Sequence, residues 1–142
     1  MQNHQRARTR RPRIVIAASD HQQLLDVADR AHVRDPQIAQ FLTDELSRAF
    51  VVPDGSCAAN VVRIGSRVTY REDSTSRVRR VVLTYPRDAN IDQNRISILT
   101  PIGAALIGMS IAQTIEWPTP HGGVQSLTVL DVTNEADSPT TA

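Results

Sequence analysis

Several residue types are scarce or absent in this chain of 142 residues, and each scarcity excludes something. Lysine does not occur, so every basic side chain other than histidine is arginine. Cys57 is the only cysteine, which excludes an internal disulfide and fits a reducing cytosol. The longest apolar run, Ile14 to Ala18, has five residues, against about 20 for a membrane span and about 7–15 for the core of a secretion signal. We therefore expect a cytoplasmic protein with no membrane segment.

The charge is unevenly distributed along the chain, although its net value is only +1. Five arginines and no acid occur within residues 1–13, so the remainder of the chain is net negative. We expect residues 1–13 to form a disordered basic tail and residues 134–142 to form a second disordered tail, because neither offers apolar residues to bury. Steering towards nucleic acid is the alternative role of the basic tail.

Two amphipathic helices are predicted in residues 14–52, after a short apolar element, Ile14 to Ile16. Ser19 followed by Gln22 is typical of a capping box, and apolar residues then recur at three- and four-residue steps from Asp20 to His32. Asp35 and Pro36 predict the start of the second helix. The short connection predicts an antiparallel helical hairpin, or coiled coil, with its tip at Ala31 to Asp35.

The spacing of apolar residues changes after a turn-rich linker, residues 53–60, and predicts short strands in residues 61–133. Residues 100–108 interrupt them with the pattern of a short helix, in which Thr100 and Pro101 form the start and Gly108 forms the end. Pro120 to Gly123 predicts a hairpin turn. The fold class is α+β, with a twisted antiparallel sheet around one short helix. Strands are predicted at 61–64, 67–71, 78–85, 96–99, 114–117 and 127–132.

Catalytic and metal-binding patterns are absent from the sequence. No P-loop, nucleophile elbow, dinucleotide fingerprint or HExxH motif occurs. Asp26 and Asp29 are three residues apart but are expected on a solvated face, and adjacent Asp44 and Glu45 would point about 100° apart on a helix. Asp35 is the only acid at the tip and is expected to cap the second helix. We therefore predict no metal site, no cofactor and no enzymatic activity.

Arginines are concentrated in the first predicted β-hairpin and form a candidate basic patch. Even spacing would place Arg67 and Arg71 on one face of a strand, where they could contact a nucleic-acid backbone. No set of aromatic residues accompanies them, so a solvated or protein-contacting face is favoured. The candidate patch comprises Arg63, Arg67, Arg71, Arg77 and Arg79.

Three separate segments resemble one known family in their order and spacing. They are Val62 to Val68, Ile96 to Gly108 and the Gly122-Gly123 pair, and they resemble the C-terminal domain of the Gre transcript-cleavage factors. The whole of residues 14–132 is similar to a Gre-like family with a shortened hairpin, the bacterial regulators of nucleoside diphosphate kinase. In one departure, this chain has Ala112-Gln113 where the family usually has Gly-Asp.

The resemblance implies an FKBP-like fold and binding to RNA polymerase near its secondary channel, in competition with Gre-type factors. It implies that Pro101, Ile102 and Gly103 form the contact loop and that the hairpin tip, His32, Val33, Arg34 and Asp35, faces the channel. Gre factors present an Asp and a Glu three residues apart at the tip, and this tip has no such pair. The resemblance therefore implies a non-catalytic transcription regulator, which we expect to be a monomer.

Two other functions are weighed against this one. The first is nucleic-acid binding through the basic tail and the first β-hairpin. The second is prolyl isomerase activity, which rests on fold analogy alone and is disfavoured because the chain has only five aromatic residues.

Overall fold

The computed structural model describes residues 11–119 and 122–134. It is a mixed α+β fold in which a two-helix unit packs on a five-stranded sheet. Its helices are α1 (Ala18–Ala31), α2 (Pro36–Arg48) and α3 (Pro101–Leu106). Its strands are β1 (Val15–Ala17), β2 (Phe50–Val52), β3 (Arg67–Glu72), β4 (Arg77–Thr84), β5 (Arg95–Ser97), β6 (Thr114–Pro118) and β7 (Val124–Thr133).

The two-helix unit consists of β1, α1, α2 and β2. Strand β1 runs directly into α1, and β2 follows α2 after one residue. The two strands pair in parallel, with Val15 opposite Phe50 and Ala17 opposite Val52, so the start of α1 lies beside the end of α2. Apolar side chains along one face of each helix are buried, including Leu24, Ala28, Leu42 and Leu46. At about 1.5 Å per residue, each helix is about 20 Å long.

Helix α1 begins differently from the prediction. Its N-cap is Ala17, whose side chain offers no cap, so Ser19 lies inside the first turn. The Ser19 N–H instead donates to Asp54 Oδ1 over 2.9 Å. A carboxylate distant in sequence therefore satisfies one of the free amides of the first turn. The capping box predicted at Ser19 and Gln22 is wrong.

The main sheet has the strand order β5-β4-β3-β7-β6. Its central pairs are antiparallel, but β5 runs parallel to β4, with Leu83 opposite Ile96. Residues 85–94 form a crossover that contains two turns of 3-10 helix, and this returns the chain in the same direction. The prediction of a wholly antiparallel sheet is therefore wrong at this edge.

The predicted strand at 61–64 is not a strand. Only an isolated bridge joins Val61 to Ser110. The Val62 N–H donates to the Met109 carbonyl, and the Gly108 N–H donates to the Val62 carbonyl. Val61 and Val62 are buried by these contacts to the residues after α3. Burial therefore explains why both residues are apolar, although they belong to no β-ladder.

One face of the sheet packs on α3 to form the core. Alternate residues of the strands point inward, among them Val68 and Tyr70 of β3 and Ile115 and Trp117 of β6. Helix α3 is buried from Gly103 to Leu106. Helix α2 lies against α3, and the rings of Phe41 and Trp117 are 6.3 Å apart between centroids. The two-helix unit and the sheet therefore share one hydrophobic core.

Parts of both predicted tails are held in the fold. Arg11 and Pro12 contact α2, and the Arg13 carbonyl accepts a hydrogen bond from Gln113. Asn134 is buried, accepts a hydrogen bond from Ser66 and donates to the Ala59 and Val61 carbonyls. The prediction of disorder is wrong for residues 11–13 and 134, because these residues have specific polar partners. Residues 1–10 and 135–142, and two residues of the predicted turn at 120–123, lie outside the described residues.

Candidate interaction site

The predicted contact loop, Pro101 to Gly103, directly follows Thr100, the N-cap of α3. The Thr100 hydroxyl accepts from the Gly103 N–H over 3.0 Å and donates to the Ser97 carbonyl over 2.7 Å, so α3 has a side-chain N-cap. Pro101 is exposed and Ile102 is partly exposed. Gly103 is buried, and a Cβ atom there would lie 2.1 Å from the Ser97 carbonyl oxygen. Pro101 and Ile102 can therefore touch a partner, whereas Gly103 is required for packing.

The turn between α1 and α2 contains His32, Val33, Arg34 and Asp35. Val33 is 89% exposed, which is unusual for an apolar side chain. Asp35 is the N-cap of α2, with its Oδ1 atom 3.5 Å from the Ile38 nitrogen. The single acid of the tip is therefore engaged at a helix end.

The acidic residues that the structure describes do not assemble into a metal site. Asp26, Asp29 and Asp44 are exposed, whereas Glu45 is fully buried. Within residues 11–119 and 122–134, no group of three or more His, Cys, Asp or Glu side chains could hold a metal ion.

Glu45 is held by two arginines, an arrangement that the sequence analysis missed. Its Oε2 atom lies 2.6 Å from Arg11 Nη1, and its Oε1 atom lies 2.7 Å from Arg48 Nη2. Arg48 also donates to the Pro12 carbonyl. Arg48 follows Glu45 by three residues on the same helix, and this spacing could have predicted the Glu45–Arg48 ion pair from the sequence. This cluster fastens residues 11–12 to α2.

The candidate basic patch is divided between the two faces of the sheet. Arg67 and Arg71 alternate with buried Val68 and Tyr70, so they lie on the face away from the core. Arg77 and Arg79 are opposite Glu72 and Tyr70, which places them on the other face. Ion pairs to acids among the described residues engage Arg63, Arg71 and Arg79. These pairs are Arg63 with Asp20, Arg71 with Asp73, and Arg79 with Glu72.

Asp73 is the centre of a polar network on the outer face. Its carboxylate accepts hydrogen bonds from Ser126, Thr128 and Arg71. Burial by itself would raise the pKa of the Asp73 carboxyl, but these hydrogen bonds and the charge of Arg71 outweigh it and hold the pKa below the ordinary 3.8. The network ties the β3–β4 turn to β7 and occupies Arg71.

A cleft of about 680 Å³ separates the outer half of the two-helix unit from the loop that follows β4. At its edge the Tyr85 hydroxyl donates to Gln23 Oε1 over 2.7 Å. Burial raises the pKa of the Tyr85 hydroxyl, and the nearby charge of Asp20 raises it further, so the hydroxyl remains a donor. Three arginines line this cleft, Arg30, Arg34 and Arg87. Arg34 was predicted at the hairpin tip, but no sequence pattern grouped it with Arg30 or Arg87.

Comparison with known proteins identifies the family. The family described as "Transcription elongation factor, GreA/GreB, C-term" matches residues 57–134, which include the whole five-stranded sheet and α3. The chain belongs to the GreA/GreB family. The family described as "Rnk N-terminus" matches residues 12–52, which correspond to the two-helix unit.

Individual relatives extend over most of the chain. A "Regulator of nucleoside diphosphate kinase" from Escherichia coli is 31% identical over 122 residues, which cover 86% of this chain and 90% of the relative. A "Transcription elongation factor GreA" from Beijerinckia indica is 30% identical over 135 residues, covering 89% and 85%. A solved GreA/GreB structure from Nitrosomonas europaea is 34% identical, covers 87% of this chain and 99% of its own, and superposes with a TM-score of 0.65. These relatives are named as regulators or transcription factors.

The departure at Ala112-Gln113 has a structural consequence within this GreA/GreB fold. Ala112 has a φ of +77°, a conformation that glycine adopts readily and alanine does not. Gln113 accepts from the Ser110 N–H over 2.9 Å and donates to the Arg13 carbonyl over 3.1 Å. The turn thus keeps a conformation suited to glycine, and Gln113 links it to the N-terminal segment.

Proposed function

We propose that this protein is a non-catalytic transcription regulator that binds RNA polymerase near the secondary channel and competes with Gre-type factors. The observation that carries the proposal is the match of residues 57–134 to the C-terminal part of GreA/GreB elongation factors, combined with the exposure of Pro101 and part of Ile102 at the start of α3. An exposed proline beside a partly exposed isoleucine offers an apolar contact on a rigid helix start. A polymerase-binding protein of this kind would act in the cytoplasm.

The proposal assigns a role to each part of the fold. Residues 61–133 form an FKBP-like domain that docks on the polymerase, and residues 14–52 form the antiparallel helical hairpin of Gre factors in a short version. Residues 53–60 link the two. The proposed active form is a monomer, and its link to nucleoside diphosphate kinase is through transcription, in keeping with the name of its Escherichia coli relative.

The tip carries no groups for transcript cleavage. Cleavage assisted by a Gre factor requires acids that hold a magnesium ion in the polymerase active site. Asp35 is used as a helix cap, and the neighbouring residues His32, Val33 and Arg34 supply no carboxylate. Helices about 20 Å long also give a short reach. We therefore propose binding without stimulation of cleavage.

Co-purification with core RNA polymerase tests the binding step. The unaltered protein should co-purify, and an excess of a Gre factor should displace it. Pro101→Glu should weaken binding at least tenfold, because the new charge would lose its hydration in an apolar contact. An acidic residue is favourable in the first turn of a helix, so α3 should still form in this variant. Ile91→Glu is the matched control, since Ile91 is 84% exposed and lies outside the proposed contact. Binding that Pro101→Glu leaves intact would contradict the assignment of the loop.

A cleavage assay tests the second step. Backtracked transcription complexes incubated with this protein should show no shortened RNA beyond the rate of polymerase alone. Stimulated cleavage that disappears in Asp35→Asn would refute the proposal.

Nucleic-acid binding remains the alternative function. Arg63, Arg71 and Arg79 already have acidic partners, which weakens the case for a phosphate-binding surface. Salt separates the two functions, because binding to phosphates weakens steeply with ionic strength and an apolar protein contact does not. The alternative would be favoured by tight DNA binding that is lost as the salt concentration rises from about 50 to 200 mM. The double variant Arg67→Ala/Arg71→Ala should then also lose this binding.

A further inference from the structure

The cleft beside the tip has the size of a small-molecule site. Its volume of about 680 Å³ lies within the range of roughly 300–1,000 Å³ that is common for ligand pockets. One wall is the second half of α1 with the turn to α2, and the other is formed by Tyr85 to Arg87 together with Leu99. The hydrogen bond between Tyr85 and Gln23 holds these walls together.

Arginine side chains stand on both walls of this cleft. Arg30 and Arg34 lie on the helical wall, and Arg87 lies on the opposite loop. All three are exposed, and in the part of the chain that the structure describes none has an ion pair or a side-chain hydrogen bond. A guanidinium group presents planar, always charged donors that match the oxygens of a phosphate group. Three such groups therefore line the cleft with no ion pair to any of the described residues.

The net charge of all the residues that line the cleft favours a compact anion over a cation. Asp26 and Asp35 also line the cleft, so the three arginines and two acids of the lining give it a net charge of +1. The Asp35 carboxylate is turned towards the first-turn amide of Ile38. Val27, Ile38 and Leu99 form an apolar part of the lining. The chemistry suits a phosphate-bearing molecule that also has an apolar or ring portion.

We propose that this cleft binds a small phosphorylated anion, whose phosphate oxygens are contacted by Arg30 and Arg34 from one wall and Arg87 from the other. A bound anion would join the tip of the two-helix unit to the loop after β4 and so stabilise their relative position. The cleft is sized for a small molecule rather than for an extended acidic protein segment. The proposal does not depend on RNA polymerase binding.

Isothermal titration of the full chain tests this site, at low salt and without divalent cations. The two probes are inorganic tripolyphosphate and adenosine triphosphate, which distinguish a free polyphosphate from a nucleotide. The site variants are Arg34→Ala and Arg87→Ala, one on each wall. The matched control is Arg80→Ala, which removes the same charge from an exposed position in β4. Thermal unfolding of each variant confirms that it is folded.

At least one probe should bind with a dissociation constant below about 1 mM, and each site variant should weaken binding about tenfold. Arg80→Ala should leave the affinity within about twofold. Tighter binding of the nucleotide would identify the ring as part of the ligand, and equal binding would identify polyphosphate. Absence of binding by both probes, or an equal loss in Arg80→Ala, would overturn the proposal. Cleft variants that weaken only polymerase binding would show a protein segment as the occupant and would overturn it as well.

Discussion

Gly108 lies against Ile14 so closely that a Cβ atom at Gly108 would be 2.9 Å from the Ile14 Cβ. The backbone of Gly108 also accepts a hydrogen bond from the Val15 N–H over 3.0 Å. The two contacts join the first residue of β1 and the residue before it to the chain that follows α3. They fix the base of the two-helix unit on the GreA/GreB domain.

Gly108→Ala should destabilise the protein by about 3 kcal/mol. The new methyl group would clash with Ile14, and the φ of +79° at Gly108 adds about 1–2 kcal/mol of backbone strain for any other residue. Gly65→Ala is the matched control, because Gly65 has a φ of +94° but nothing within 4 Å of its Cβ position. Urea unfolding should give a loss of only about 1–2 kcal/mol for Gly65→Ala. Equal losses at the two glycines would show that the contact with Ile14 contributes nothing.

Ala112→Gly should stabilise the protein by about 0.5–1 kcal/mol. Ala112 has a φ of +77°, which strains the backbone of a residue that has a Cβ atom. The strain energy that the change to glycine removes exceeds the free-energy cost of the additional conformational entropy that glycine loses on folding. The comparison is Ala89→Gly, where φ is −69° and the same change should destabilise by a similar amount. Thermal or urea unfolding of the three proteins measures both effects. A loss of stability in Ala112→Gly would contradict the strain argument.

Glu45→Gln should lower the unfolding free energy by about 2–3 kcal/mol. The change leaves Arg11 and Arg48 without a buried counter-charge, although both arginines retain some contact with water. Asp44→Asn removes the adjacent but exposed acid and should change stability by about 0.5 kcal/mol or less. Urea unfolding of both variants provides the test. Similar values for the two would mean that the burial of Glu45 has no energetic consequence.

The Asp73 network should make stability depend on pH in the acid range. The folded protein holds the pKa of Asp73 below its ordinary 3.8, so folding favours the ionised carboxylate. The resulting stabilisation is fully present above pH 3.8 and is lost as the pH falls through the lower folded value. The difference in unfolding free energy between the unaltered protein and Asp73→Asn should therefore shrink as the pH falls below 3.8. A difference that stays constant with pH would disprove the linkage.

Local sequence patterns were sufficient for most of the secondary structure. Helix α2 begins at Pro36, after Asp35, and α3 begins at Pro101, after Thr100, as their capping residues predict. Strands β3, β4, β6 and β7 lie within a few residues of their predicted positions, because alternation of apolar and polar residues reports directly on a half-buried strand. The candidate contact loop was found through its resemblance to the family.

Contacts between distant segments were not predictable in the same way. The cap of α1 comes from Asp54, the partners of Asn134 are Ser66, Ala59 and Val61, and the cleft unites α1 with the loop after β4. None of these pairs is close in sequence. Local spacing carries no information about them, because each depends on how whole elements pack.

The sequence by itself determined the two helices, the short helix α3, the alternation of the strands and the absence of an Asp and Glu pair at the tip. Those features follow from residue type and local spacing, which act over a few residues. Tertiary structure alone decided that β1 pairs with β2 in parallel, that β5 runs along β4, that Glu45 is buried, and that Arg30, Arg34 and Arg87 face one cleft. The reason is physical, since pairing, burial and charge clustering depend on which surfaces meet after the chain has folded.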